Sequence, residues 1–158
     1  MITEPISSAF YASTAFNEIN DDIKQWDYDD LTGEGFVNIF HSPKYAYLSV
    51  NILKNELLTS TQIQWEDDLQ VPLEFRESIK DVFSFFIAYT EGLKGQVIPP
   101  LRIRIIDGDF HPVDSSNLSF RIATIYAIRD CFKKPVKVIT ENDRGRISEF
   151  KSSFEKYN

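Results

Sequence analysis

Apolar residues fall along the chain in runs whose period changes, and each change predicts an element. Phe10, Ala12, Phe16, Ile19, Ile23 and Trp26 recur largely three and four apart, which predicts a helix within residues 10–26 that docks one apolar stripe. Asp27 to Gly35 is polar and turn-prone and reads as a connector, with Gly33 and Gly35 punctuating the approach to the next apolar run. Phe36 to Phe40 and Tyr45 to Leu53 are rich in aromatic and β-branched residues, with Ser42 and Pro43 between them, the pattern of a hairpin. Thr61 to Trp65 adds a third strand.

The second half is more regular. Phe75, Ile79, Val82, Phe83 and Phe86 recur at helical spacing opposite Glu77, Lys80, Asp81, Ser84 and Ala88, predicting an amphipathic helix over Glu74 to Thr90. Pro72 suits its start, and Gly92 or Gly95 its end. Leu101, Ile103 and Ile105 alternate with Arg102 and Arg104, a strand with one apolar and one cationic face, before a turn expected at Asp107 and Gly108. Asp114, Ser115 and Ser116 then supply capping oxygens for a helix carrying Phe120, Thr124, Ala127, Ile128, Cys131 and Phe132 on one stripe, to about Lys133. Lys133 and Lys134 suit the negative end of its dipole and Pro135 stops it. Val136 to Thr140 reads as a short final strand. Glu141 to Asn158 reads as a polar tail, with Phe150 and Phe154 as anchors for a last helical turn or two. The order of strands and helices defines an α+β two-layer sandwich.

Composition narrows the function. With 158 residues and 42% hydrophobic content, 13 Phe included, the chain can bury one core; a single Cys and two His exclude an internal disulfide and a zinc cluster at recognisable spacing. No apolar run is long enough to span a bilayer, and the first ten residues lack the pattern of a secretory signal, so no membrane partner and a cytoplasmic location are expected. The formal charge of −7 is concentrated in residues 1–35, where eight acids face Lys24 alone, while the rest of the chain balances and the stretch from Arg102 onward is mildly basic. An acidic chain lacks the counterion-releasing attraction that drives non-specific nucleic-acid binding. The acidic head reads as a solvated face or arm, or else as a dock for a basic protein.

One segment is far more specific. From Gly95 to Ala123 the chain runs Gly-Gln-Val-Ile-Pro-Pro-Leu-Arg-Ile-Arg-Ile-Ile-Asp-Gly-Asp-Phe-His-Pro-Val-Asp-Ser-Ser-Asn-Leu-Ser-Phe-Arg-Ile-Ala. This resembles the fourth domain of bacterial elongation factor G and its relatives, the ribosomal-protection proteins included. In that family a strand leads into Gly-x-aromatic-His-x-Val-Asp-Ser-Ser and then a helix bearing Phe and a basic residue. Gly108, Phe110, His111, Val113, Asp114, Ser115, Ser116, Phe120, Arg121 and Ala123 fit without a gap. The resemblance extends back through Val71 and Pro72 to Tyr45–Leu53. It implies a ribosomal-protein-S5-like fold, a mostly β layer carrying two helices on one face, over residues 36–140, between an acidic segment 1–35 and a polar tail 141–158. It further implies a decoding-site arm with His111 at its tip.

The departures matter as well. His41-Ser42-Pro43-Lys44-Tyr45-Ala46 stands where the family has a glycine-rich tip loop, removing the glycines that let a backbone approach RNA closely. Asn117 and Ser119 replace the commoner Glu and Ala. No phosphate-binding Gly-Lys-Ser/Thr loop occurs, so no GTPase and no bound nucleotide are expected of these residues. Asn142 to Ile147 echoes a motif of the family's fifth domain, with too few residues after it to build one. Ser115 and Ser116 near His111 are read as capping residues and not as hydrolase nucleophiles; Cys131 is read as a buried, inert thiol, and Phe85 or Tyr89, flanking the apolar stripe of their helix, as serving an interface. The expectation is a non-catalytic translation module without cofactor or metal. It binds ribosome or tRNA through Asp109, Phe110, His111 and Pro112, with Lys44, Arg102, Arg104 and Arg121 as the cationic complement, and Arg129, Lys133 and Lys134 could extend that surface. The alternative is a protein-interaction module whose acidic head docks a basic protein.

Overall fold

A computed structural model of the chain describes residues 14–39, 44–66 and 71–147. A single 3-10 turn, Asn17–Ile19, leads into α1 (Asn20–Gln25), followed by β1 (Leu31–Ile39), β2 (Lys44–Lys54), β3 (Gln62–Trp65), α2 (Leu73–Lys94), β4 (Leu101–Asp109) and α3 (Asn117–Cys131). The strands form one mixed sheet in the order β1-β2-β4-β3, antiparallel except for the parallel pair β3 and β4. The expected hairpin is β1–β2; its turn, residues 40–43, lies outside the described residues, as do Phe10, Ala12, Phe150 and Phe154.

Both long helices lie on one face of the sheet, as the α+β two-layer expectation requires. Ala46, Leu48, Val50 and Ile52 of β2 and Leu101, Ile103 and Ile105 of β4 share a single core with Ile79, Phe83 and Phe86 of α2 and Phe120, Ala123 and Ile128 of α3. Phe75 stacks on Phe120 at 5.1 Å between ring centroids, and Ser78 donates to the Asn117 side chain at 2.8 Å, tying α2 to the start of α3. Gly95 ends α2 in the left-handed region at φ 67, where a side chain is penalised. The stripe predicted within residues 10–26 is used as expected. Phe16, Ile19, Ile23 and Trp26 are buried in the main core, with Phe16 against Phe85, Phe86 and Tyr89, and Trp26 against Phe86 and Phe132. Phe85 and Tyr89 therefore serve this internal contact.

Three expectations are corrected. Gly33 and Gly35 do not punctuate a connector; they lie inside β1, where a Cβ would sit 2.4 Å from the Ala127 carbonyl oxygen and 2.0 Å from that of Ala123. They are small so that α3 can rest directly on the strand. The turn expected at Asp107 and Gly108 is instead the end of β4, reached through a bulge. No strand forms over 136–140: Val136 and Val138 are 47% and 71% exposed. α3 is closed earlier, by Lys133 N–H donating to Asp130 O and Lys134 N–H to Arg129 O, with Lys133 itself left-handed at φ 62.

Beyond Pro135 the chain crosses to the other face of the sheet. Thr140 and Asp143 cap a helical stretch over 141–147 reciprocally, and its Ile147 packs with Phe36, Tyr45 and Tyr47 in a second, smaller core. Lys137 lies 4.9 Å above the Phe36 ring, and Arg144 pairs with Glu34.

Candidate functional site

The His111 loop is positioned by an irregularity in β4. Ile105 pairs with Val50 and Asp107 with Ser49, leaving Ile106 as an extra, unpaired residue in the register. The bulge inverts the alternation. Ahead of it, Arg102 and Arg104 face away from the helices; after it, Gly108 turns toward them and Asp109 away. Asp109 is 0% exposed, and Tyr45 Oη donates to its Oδ2 at 2.5 Å. Burial first, then the Asp109 carboxylate, push the Tyr45 hydroxyl well above its ordinary range. Asp109 is therefore no surface contact, contrary to expectation; it anchors the loop from beneath. Phe110 is half-buried against the main core.

His111 follows at the surface, with 27% of its side chain exposed. Its Nδ1 accepts from the amides of Val113 at 3.1 Å and Asp114 at 3.0 Å, which places the ring's own N–H on Nε2. Asp114 Oδ2, 3.7 Å from Nδ1, is beyond hydrogen-bond reach. Ser115 Oγ accepts from His111 N–H at 2.8 Å and donates to Tyr45 O at 2.6 Å, and Tyr45 N–H donates to Asp114 O at 3.1 Å. The partly exposed imidazole, 6.2 Å from the Tyr45 ring between centroids, thus organises its own turn, which Ser115 and Asp114 fix to the start of β2. Of the three capping residues expected, only Ser116 caps α3: its Oγ accepts from Ser119 N–H while Ser119 Oγ accepts from Ser116 N–H. Both serines are structural. Pro112 is exposed, and Lys44, in register with Ile39, is half-buried beside the loop.

The remaining cations do not join this tip. Arg102 lies seven residues back along β4, about 23 Å away at strand spacing, and Arg104 pairs with Glu66 at 2.7 Å. Arg121 lies on the helix layer, 3.9 Å from Asp81. Arg129 bonds Glu18 at 2.6 Å and Lys134 bonds Asp22 at 2.8 Å. The expected cationic surface is split among three faces and largely paired. In the same way the acidic head spends Glu18, Asp22 and Glu34 on Arg129, Lys134 and Arg144, which holds residues 16–34 to the domain.

A shallow cleft of about 160 Å³ is lined by Glu34, Asp130, Pro135, Lys137, Val138, Ile139 and Arg144. Its charges are engaged internally: Asp130 Oδ2 accepts from Glu34 N–H, Arg144 bonds Glu34, and Lys137 lies 3.7 Å from Asp143. Cys131 is buried and its thiol is pushed up to about 12, by burial first and then by Asp130. Among the described residues no group of three or more His, Cys, Asp or Glu is arranged to hold a metal ion, and no helix is long and apolar enough to cross a membrane. The sequence reading missed the Tyr45–Asp109 pair. Its one local signal was the adjacent Ile105 and Ile106, which break the two-residue period.

A helix-on-sheet domain whose fourth strand runs through a histidine-bearing turn into a serine-capped helix defines a class, and the comparisons place the chain in it. Residues 54–135 match the family Elongation factor G, domain IV, and the chain belongs to that family of translation factors. Over 48 residues it is 46% identical to Elongation factor G 1 of Syntrophomonas wolfei subsp. wolfei, a stretch that covers 30% of this chain and 7% of that protein. A crystal structure of a Thermus thermophilus protein superposes with a TM-score of 0.48 at 17% identity, covering 68% of this chain and 16% of that one. The chain thus spans a small part of each of these longer relatives.

Proposed function

We propose that this chain is a non-catalytic, cytoplasmic translation module that binds the ribosome or tRNA through the loop around His111, without GTPase activity of its own. The observation that carries the reading is the loop itself: within the family segment, residues 110–116 form a turn locked by His111 Nδ1 and Ser115 Oγ and fixed to the start of β2, following the bulge at Ile106. A rigid projection of this kind suits contact better than chemistry, because no nucleophile and base stand together in it. The acidic-head alternative is less well supported, since four of the eight carboxylates in residues 1–35, Glu18, Asp22, Asp30 and Glu34, are engaged within the domain.

Co-sedimentation with purified ribosomes and gel mobility of tRNA test the proposal. The unmutated protein should bind one of the two. His111→Ala, which removes the acceptor for two amides and loosens the turn, should weaken binding about tenfold, the effect of losing one to two net hydrogen bonds. Absence of binding by the unmutated protein at low salt ends the reading.

A further inference from the structure

We infer that Tyr45 is the positioning residue of the contact just proposed: on that reading it touches no partner, and with Asp109 it sets the height and tilt at which the His111 turn is presented. Tyr45 is the second residue of β2, and its backbone and side chain are both spent on the turn that follows β4. Its Oη donates to Asp109 Oδ2 at 2.5 Å, its carbonyl oxygen accepts from Ser115 Oγ at 2.6 Å, and its N–H donates to Asp114 O at 3.1 Å. The centroid of its ring lies 6.2 Å from that of His111. One strand residue thus holds the turn at its entry and at its exit, with the imidazole between.

Burial decides which residues touch and which position. Tyr45 is 5% exposed and Asp109 0%, whereas His111 is partly exposed and Pro112 and Val113 are exposed outright. A partner can reach the turn but neither residue beneath it. The Tyr45 ring is itself set by the smaller core, where Phe36 meets it edge-on at 5.5 Å and Ile147 shares the cluster. Burial, and then the Asp109 side chain, hold the Tyr45 hydroxyl protonated far above neutrality, so it stays a donor. What this support controls is direction. With His111 Nδ1 accepting from the amides of Val113 and Asp114, the donor of the ring is its Nε2–H, whose direction follows the tilt of the turn. A hydrogen bond weakens steeply with misalignment, and a turn fixed beforehand loses little freedom on binding.

The test uses the full chain with purified ribosomes and tRNA, and amide hydrogen exchange of the free protein. Tyr45→Phe keeps the ring and both backbone bonds and removes the bond to Asp109 alone. It should weaken binding about tenfold, the loss expected when the competent arrangement falls to about a tenth of the population. Exchange at the amides of Val113 and Asp114 should quicken by about the same factor, a readout that a general loss of stability does not confine to the turn. Asp109→Asn can still accept from the Tyr45 hydroxyl and should bind within about threefold of the parent, because the pair acts by geometry and presents no charge to the partner. Ile128→Val, a buried change farther along α3, lowers stability away from the turn and should bind as the parent does. Binding by Tyr45→Phe within about threefold of the parent, unchanged exchange at Val113 and Asp114, a loss in Asp109→Asn as large as that in Tyr45→Phe, or the same weakening by Ile128→Val overturns this inference and leaves ribosome or tRNA association standing. Failure of the unmutated protein to bind removes both.

Discussion

Replacing Gly35 by Ala asks how closely the helix layer is seated on the sheet. The added Cβ would lie 2.0 Å from the Ala123 carbonyl oxygen, 2.7 Å from Ala127 N and 2.9 Å from Tyr126 Cβ. The nearest two are backbone atoms of α3, so no side-chain rotation relieves the overlap. Ordinary contact begins at 3.4 Å, and α3 must therefore retreat by roughly 1.4 Å or tilt. A gap of about 0.5–1 Å already forfeits a quarter to a half of the dispersion attraction across it. The helix concerned buries Phe120, Ala123, Thr124, Ala127, Ile128 and Cys131. Overpacking usually costs about 1–3 kcal/mol, and a rigid backbone obstacle places this case at about 3 kcal/mol, or roughly 6–12 °C in Tm for a chain of this size. Urea denaturation followed by far-ultraviolet circular dichroism measures it. Gly92→Ala is the control: it lies within α2 with nothing inside 4 Å, and should gain about 0.5–1 kcal/mol from helix propensity alone. A Gly35→Ala protein within about 0.5 kcal/mol of its parent, with the control behaving as stated, refutes the seating of α3 on β1.

Three further outcomes are expected. Lys133→Gly should stabilise the domain by about 1 kcal/mol, because position 133 is left-handed at φ 62, and an unchanged urea midpoint contradicts that. Phe16→Ala should cost about 3–5 kcal/mol in the same assay, since the ring is fully buried among Phe85, Phe86 and Tyr89; a loss below about 1 kcal/mol would show that the segment before β1 is not part of the core. Glu34 is held below the ordinary carboxylate range, chiefly by its hydrogen bond from Arg144 and also by Tyr47, with burial opposing. The stabilisation it contributes is present above the ordinary carboxylate pKa and lost as pH falls through the lowered one, so acid should loosen the 141–147 stretch. Stability of Glu34→Gln should then depend less steeply on pH in the acid range than that of the parent, and parallel curves would count against the pairing.

Local period and capping chemistry made much of this fold readable. The stripe on α2, the serine cap of α3 and the hairpin residues of β1 and β2 need only their neighbours to be understood. What stayed hidden depends on partners far away in the chain. Glycine reads locally as a turn, and only α3, some ninety residues later, shows why positions 33 and 35 must be small within a strand. The β-branched run at 136–140 looked like a strand because β propensity describes a half-buried pleated surface, which those residues do not have. Arg102 and Arg104 were rightly placed off the apolar face. Their distance from His111 follows from the length of β4, whereas the turn of Asp109 away from the helices follows from the bulge; neither is a property of residue type.

That single extra residue at 106 also acts as a parity switch for whatever is attached downstream. Paired regularly with Ser49 instead of bulged, Ile106 would present the turn upside down, with Asp109 facing α3 and Gly108 the opposite side, whereas its deletion would leave both as they are. Transplanting this tip onto another scaffold therefore requires the strand from Ile105 onward as part of the cassette, because a graft beginning at Gly108 would inherit its orientation from the host.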